Sequence, residues 1–154
     1  MANIIYIGLD VHKEKIQACA FLAAYGFGED RVLANIELGG NYQEIIKFAS
    51  TLKKKFGKET RFVCGYEAGC LGYYLYHQLK EHAVDCKILA PSTMAVTNTH
   101  PIKTDKRDAA NIARCLAFHT YSEVYVPDND DNDVKKYIRM RDDQKLYLKK
   151  VKQQ

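Results

Sequence analysis

The sequence predicts an α/β domain built on a mixed five-stranded sheet flanked by helices, with a helical extension at its C-terminal end. Three observations predict it. Three short strand patterns come first, joined by turns too short to hold a helix, so they pair antiparallel. Two later apolar runs each follow a helical pattern, which calls for right-handed crossovers and parallel pairing. The last twenty residues are helix-prone and strongly basic.

The chain has 154 residues, 47% hydrophobic and 11% aromatic, enough for one core-bearing domain and a short appendage. No apolar run approaches the roughly 18 residues of a membrane span. The start, Met1-Ala2-Asn3-Ile4-Ile5-Tyr6, lacks the basic and apolar regions of a secretory signal, so a cytoplasmic protein is expected. Cys19, Cys64, Cys70, Cys86 and Cys115 are scattered through apolar patterns with no C-x-x-C pair, and read as reduced core residues. His77 and His82 miss the i, i+4 ligand spacing and read as helix surface. A net charge of +4 is too mild to establish a polyanion partner. Its distribution is more telling: residues 134–154 hold eight basic and two acidic side chains, a local +6.

In chain order, residues 4–9 form a β-branched and aliphatic run that ends in Asp10, the pattern of a strand buried on both faces. After the corner at His12-Lys13-Glu14, residues 15–23 read as a second strand, and residues 31–38 as a third, stopped by Gly39-Gly40. Asn41 is placed to cap a helix with Ile45, Ile46, Phe48, Ala49 and Leu52 at helical spacing and a stop at Gly57. Residues 61–66 are a compact strand signal that also ends in a carboxylate, Glu67. A helix is expected over 71–82, a strand over 84–89, and a helical turn or short helix from Pro91 through Val96.

After a loop at 98–102, Lys103-Thr104-Asp105-Lys106-Arg107-Asp108-Ala109 opens a helix expected over 106–119, with Thr104 as its cap. Asp105 and Asp108 sit three apart, on one helix face. Alone, such residues are ordinary partners of the helix dipole. The polar stretch 128–133 reads as a linker or helix cap; it lacks the sixth-position Gly and distal Glu of a calcium loop. In the tail, Val134, Tyr137, Ile138, Leu148 and Val151 approach heptad spacing, with Arg141, Gln144 and Lys145 interrupting. No cap closes this pattern, and a continuation in a longer molecule is expected.

This connectivity resembles a ribonuclease H-like sheet, which implies that the first strand lies beside the fourth. Asp10 and Glu67 then share the carboxyl edge of two parallel strands, where open α/β sheets hold ligands. A helix crossing that edge from Asp105 adds two more carboxylates. Four such charges repel by roughly several kcal/mol even at an effective dielectric of about 20, so they call for cations. Oxygen-only ligation favours Mg²⁺ or Mn²⁺ over zinc, and the reaction class such ions suggest is phosphoryl transfer on nucleic acid. Lys103, Lys106 and Arg107 flank the pair and are candidate phosphate contacts.

Gly8-Leu9-Asp10-Val11-His12-Lys13, Tyr66-Glu67-Ala68-Gly69 and the motif from Lys103 to Ala109 closely resemble the catalytic domain of the DEDD transposases, the insertion-sequence recombinases similar to the Piv DNA invertase. The resemblance implies a RuvC-like catalytic domain over residues 1–127, then residues 128–154 as an acidic linker and the start of a basic coiled-coil helix. It implies a bacterial or archaeal recombinase acting on DNA, with Asp10, Glu67, Asp105 and Asp108 as catalytic carboxylates binding Mg²⁺ or Mn²⁺. It further implies a structured bridge RNA as guide, a dimer or tetramer in the full-length form, and a downstream serine-bearing domain outside this sequence. Ser50, Ser92 and Ser122 match no nucleophile motif of the family, and the spacing of His12 and Lys13 gives no derivable role.

Three other readings compete. Ile7-Gly8-Leu9-Asp10 also looks like the first phosphate loop of actin-like sugar kinases, but Val11-His12-Lys13 replaces the small residues expected next, and Asp105 and Asp108 are left unused. A Holliday-junction resolvase-like nuclease would share the sheet and the acidic cluster. A non-catalytic nucleic-acid-binding or dimerisation fragment is the non-enzymatic option.

Overall fold

Strand β1 (Ile4–Val11) is apolar on both faces, with Ile5, Ile7 and Leu9 on one and Ile4 and Tyr6 on the other. A strand so composed must be covered on both sides. In the computed structural model, which describes residues 4–24, 28–69, 72–94 and 104–153, β1 is the central strand of five. It pairs antiparallel with β2 (Lys15–Leu22), which pairs antiparallel with β3 (Arg31–Gly39). On its other side it pairs parallel with β4 (Arg61–Glu67), which pairs parallel with β5 (Asp85–Leu89). The order β3-β2-β1-β4-β5 is the mixed sheet that the turn lengths and crossovers predict.

Helices α1 (Tyr42–Phe56) and α2 (Tyr74–Glu81) pack together and bury Ile45, Phe48, Leu52 and Leu79. Asn41 caps α1, its side chain accepting from the Glu44 amide at 3.1 Å, and Gly57 ends it with φ 101°. Helix α3 (Asp105–Phe118) lies across β1, β2 and β4. There Ala109, Ile112, Ala113, Cys115, Leu116 and Ala117 form one buried cluster with Tyr6, Cys19, Phe21 and Leu89. Cys19, Cys64, Cys86 and Cys115 are buried and outside any disulfide, and burial raises the pKa of Cys19 to about 11 and that of Cys86 to about 12. Cys70 lies outside the described residues.

The chain divides into two compact units, Met1–Val124 and Tyr125–Gln154. The second contains α4 (Asn129–Lys152), one helix of 24 residues. Val134, Tyr137, Ile138, Met140, Leu146, Tyr147, Leu148 and Val151 are exposed along it. No described helix is long and apolar enough to cross a membrane.

Two helix starts differ from expectation, and each has a local reason. Helix α2 starts at Tyr74, because Gly72 takes φ 63° and Tyr73 sits outside helical geometry at φ −102°, ψ 3°. A 3-10 turn, Pro91–Thr93, follows β5; Met94 is extended at ψ 134°, and Val96, the expected end of the helical turn, lies outside the described residues. Helix α3 begins one residue earlier than expected, directly after its Thr104 cap. Of the two readings of the acidic stretch, linker or helix cap, the second describes its start: Asp128 accepts from the Asp131 amide at 2.8 Å, and negative charge there matches the positive end of the helix dipole.

One contact fixes how closely α3 approaches the sheet. A Cβ at Gly8 would run into the Ala109 carbonyl oxygen and the Ala113 amide nitrogen, so the helix backbone occupies the space a side chain would take. At Gly65, on the paired position of β4, the nearest atoms a Cβ would meet are methyls of Leu116 and Leu89, at 2.8 to 2.9 Å. Backbone cannot yield as a leucine rotamer can. Gly8→Ala is therefore expected to cost about 3 kcal/mol, the upper part of the range for overpacking, and Gly65→Ala distinctly less. Urea unfolding checks this; equal midpoints for the two variants would contradict the backbone contact.

Candidate metal centre

The centre is assembled by the turn between β1 and β2 and by the first turn of α3. The His12 amide donates to the Lys15 carbonyl at 2.9 Å, closing a short turn that sets Asp10, His12 and Lys15 close together. Thr104, at φ −143° and ψ 144°, caps α3: its carbonyl accepts from the Arg107 and Asp108 amides at 2.8 and 3.0 Å, and its hydroxyl from Arg107 at 3.4 Å. A polar chain then ties this helix end to the sheet. Gln17, buried and paired with Asp10, donates to Asn35 at 2.7 Å, and Asn35 donates to the Lys106 carbonyl at 2.9 Å.

Held in this way, Asp10, His12 and Asp105 each offer a ligand atom within 4.8 Å of the others. His12 Nε2 is 3.2 Å from Asp10 Oδ2 and 3.7 Å from Asp105 Oδ2. The Asp10 side chain is 21% exposed, that of Asp105 40% and that of His12 46%, so the group is open to an ion from solution. Two carboxylates and an imidazole suit a divalent cation. Lys15 Nζ donates to Asp105 Oδ2 at 2.8 Å and to Glu37 at 3.3 Å. The Lys15 hydrogen bond holds the Asp105 pKa below its usual value, and the bonds to Asp105 and Glu37 raise that of Lys15.

The structure brings Asp10 and Asp105 into this group. Glu67 is the last residue of β4, one beyond the Leu9 to Tyr66 pairing; it is exposed at the same edge as Asp10 and outside the close group. Asp108, on the first turn of α3 and partly buried, is also outside it. Lys106 and Arg107 are exposed on that turn, and Lys103 lies outside the described residues. Sequence reasoning assigned no role to His12 and did not single out Lys15. For His12 a signal existed, since it stands two residues from Asp10, the spacing that returns a side chain to the same face of extended backbone. Lys15 lies 90 positions from Asp105, and only the folded chain pairs them.

Residues 7–154 match the family model DEDD_Tnp_IS110, described as transposase. The chain is 37% identical over 154 residues to a "Transposase for insertion sequence element IS1533" of Leptospira borgpetersenii, covering 99% of this chain and 42% of that protein. It is 32% identical over 136 residues to a "Putative transposase y4qE" of Sinorhizobium fredii, covering 88% of this chain and 33% of that one. The chain thus spans less than half the length of these curated relatives. Among solved structures it is similar to Thermus thermophilus RuvC, with a TM-score of 0.50 at 13% identity, over 78% of this chain and 99% of that one. At that identity the likeness speaks for the fold, a RuvC-like, ribonuclease H-like sheet. With the family model matched over all but its first six residues, this chain belongs to the DEDD transposase family of insertion sequences.

Proposed function

We propose that the chain is the metal-binding part of a DNA transposase active centre, in which carboxylates from β1, β4 and α3 hold Mg²⁺ or Mn²⁺ for phosphoryl transfer on DNA. The observation that carries this reading is the convergence of Asp10 and Asp105, from residues 95 positions apart in sequence, on one open point with a third ligand atom. Asp10 and Asp105 are the inner ligands, with Glu67 and Asp108 flanking them at the same edge. A bound divalent ion would supply charge neutralisation and Lewis-acid activation at the phosphodiester. The chain's own residues do the rest. Lys15 neutralises Asp105, and its bond to Glu37 gives it a second carboxylate to keep when a cation takes its place. Lys106 and Arg107, exposed beside the centre, are positioned for phosphate oxygens, with Lys103 proposed for the same role on sequence grounds.

The curated relatives are longer than this chain, which supports a reading in which further chemistry lies outside it. We propose a downstream serine-bearing domain as the source of the nucleophile, a structured guide RNA as the specificity partner, and a dimer or tetramer as the full-length assembly. The reading concerns residues 1–127 as the catalytic domain and 128–154 as the beginning of a basic helix, in a cytoplasmic bacterial or archaeal protein.

Two measurements test this. In calorimetric titration with Mn²⁺, the 154-residue chain should bind, and Asp10→Asn or Asp105→Asn should weaken binding at least about tenfold, the loss of one charged ligand from a hard-ion site. Binding unchanged by both variants would place the ion elsewhere and end the proposal. In binding assays at fixed salt, a structured guide RNA should be preferred over a four-way DNA junction; the reverse preference would favour a resolvase-like nuclease.

A further inference from the structure

The sequence argument assembles an all-oxygen site, yet the tightest group of ligand atoms among the described residues contains a nitrogen, Nε2 of His12. We infer that His12 is an inner ligand of the metal ion, making the centre a mixed nitrogen and oxygen site that favours Mn²⁺ over Mg²⁺. The inference rests on the metal-binding reading above and adds to it the identity of a ligand and a metal preference.

Geometry is the first support. Two donors bound to one ion at about 2.1 Å stand about 3.0 Å apart at neighbouring octahedral positions and about 3.4 Å apart in a tetrahedron. The separation of His12 Nε2 from Asp10, 3.2 Å, falls between these two values, and that from Asp105, 3.7 Å, lies about 0.3 Å beyond the tetrahedral one. The same nitrogen faces both carboxylates, and the three ligand atoms all lie within 4.8 Å of one another, a group that a single ion could draw together. A histidine that only oriented Asp10 would need one contact; this one has two, from different elements of the fold.

Chemistry is the second. Mg²⁺ keeps oxygen ligands and several waters, whereas Mn²⁺, which also prefers oxygen but is the softer ion, takes a nitrogen donor more readily than Mg²⁺ does. Binding of the ion displaces the hydrogen bond between His12 and Asp10 and uses the neutral imidazole, as metal sites generally require deprotonated donors. The backbone contact from the His12 amide to the Lys15 carbonyl fixes the main chain on which the imidazole sits. His12 is nearly half exposed, so its replacement leaves the core intact.

Pulsed electron paramagnetic resonance of the 154-residue chain loaded with Mn²⁺ reads the ligand directly, through modulation by a bound ¹⁴N nucleus. Wild type should show nitrogen modulation that disappears in His12→Gln while Mn²⁺ remains bound, and uniform ¹⁵N-histidine labelling should change its frequency. In parallel titrations, His12→Gln should weaken Mn²⁺ about tenfold and Mg²⁺ about twofold or less, as loss of a nitrogen donor implies. Mn²⁺ bound in wild type, weakened by Asp105→Asn and free of nitrogen modulation, would overturn the inference and leave the carboxylate site standing. Modulation that survives His12→Gln would assign the nitrogen to another residue and overturn it too. Failure of wild type to bind Mn²⁺ at all would overturn both. The wild-type spectrum decides the matter even where a variant fails to fold.

Discussion

Helix α3 rests on the sheet through a point on β1 that carries no side chain. Gly8 receives the Ala109 carbonyl and Ala113 amide directly, and this sets both the depth of the helix and the height of its first turn above the strand end. From there the arrangement follows by short steps. Asp10 lies two residues beyond Gly8 on the same strand face, and Asp105 lies one helical turn before Ala109. A side chain at position 8 would lift the helix and separate the carboxylates. The packing of the core and the geometry of the site are therefore one constraint, expressed at its two ends.

Bringing carboxylates together costs free energy: two unit charges at 4 Å repel by about 4 kcal/mol at an effective dielectric of 20. The fold offsets this locally. Lys15, delivered by the turn from β1 to β2, lies 2.8 Å from Asp105, and His12 sits between Asp10 and Asp105. Thr104 and the amides of the first turn add the positive end of a helix dipole. All of these partners are at least partly exposed and none is locked in a hydrophobic pocket. The acidic pair is thus held by exposed groups, as the proposed divalent-ion site would require if it is to load from solution.

Much of this is legible in the linear sequence, because the relevant signals are strong and local. Turn lengths and the two crossovers give the mixed sheet, the Asn41 and Thr104 caps give helix starts, and two strands ending in Asp10 and Glu67 mark one edge. What escapes is what depends on distance and fine placement. The 90-residue separation of Lys15 from Asp105 carries no sequence pattern. The polar chain from Gln17 through Asn35 to Lys106 spans three elements, and its residues look like ordinary strand polars until they are folded together. Spacing placed all four acids in one set; the close group of ligand atoms among the described residues is Asp10, Asp105 and His12, and periodicity alone does not rank His12 with them.

The central claim, that Asp10 and Asp105 form a divalent-ion site because α3 docks on Gly8, is tested most directly by crystallography with anomalous scattering. Crystals of this chain grown with Mn²⁺ should give an anomalous peak bridging the two carboxylates, about 2.2 Å from an oxygen of each, as expected for a hard-ion site. A well-ordered α3 and β1 without density between these carboxylates at millimolar Mn²⁺, or a peak only at other surface acids, would contradict the account.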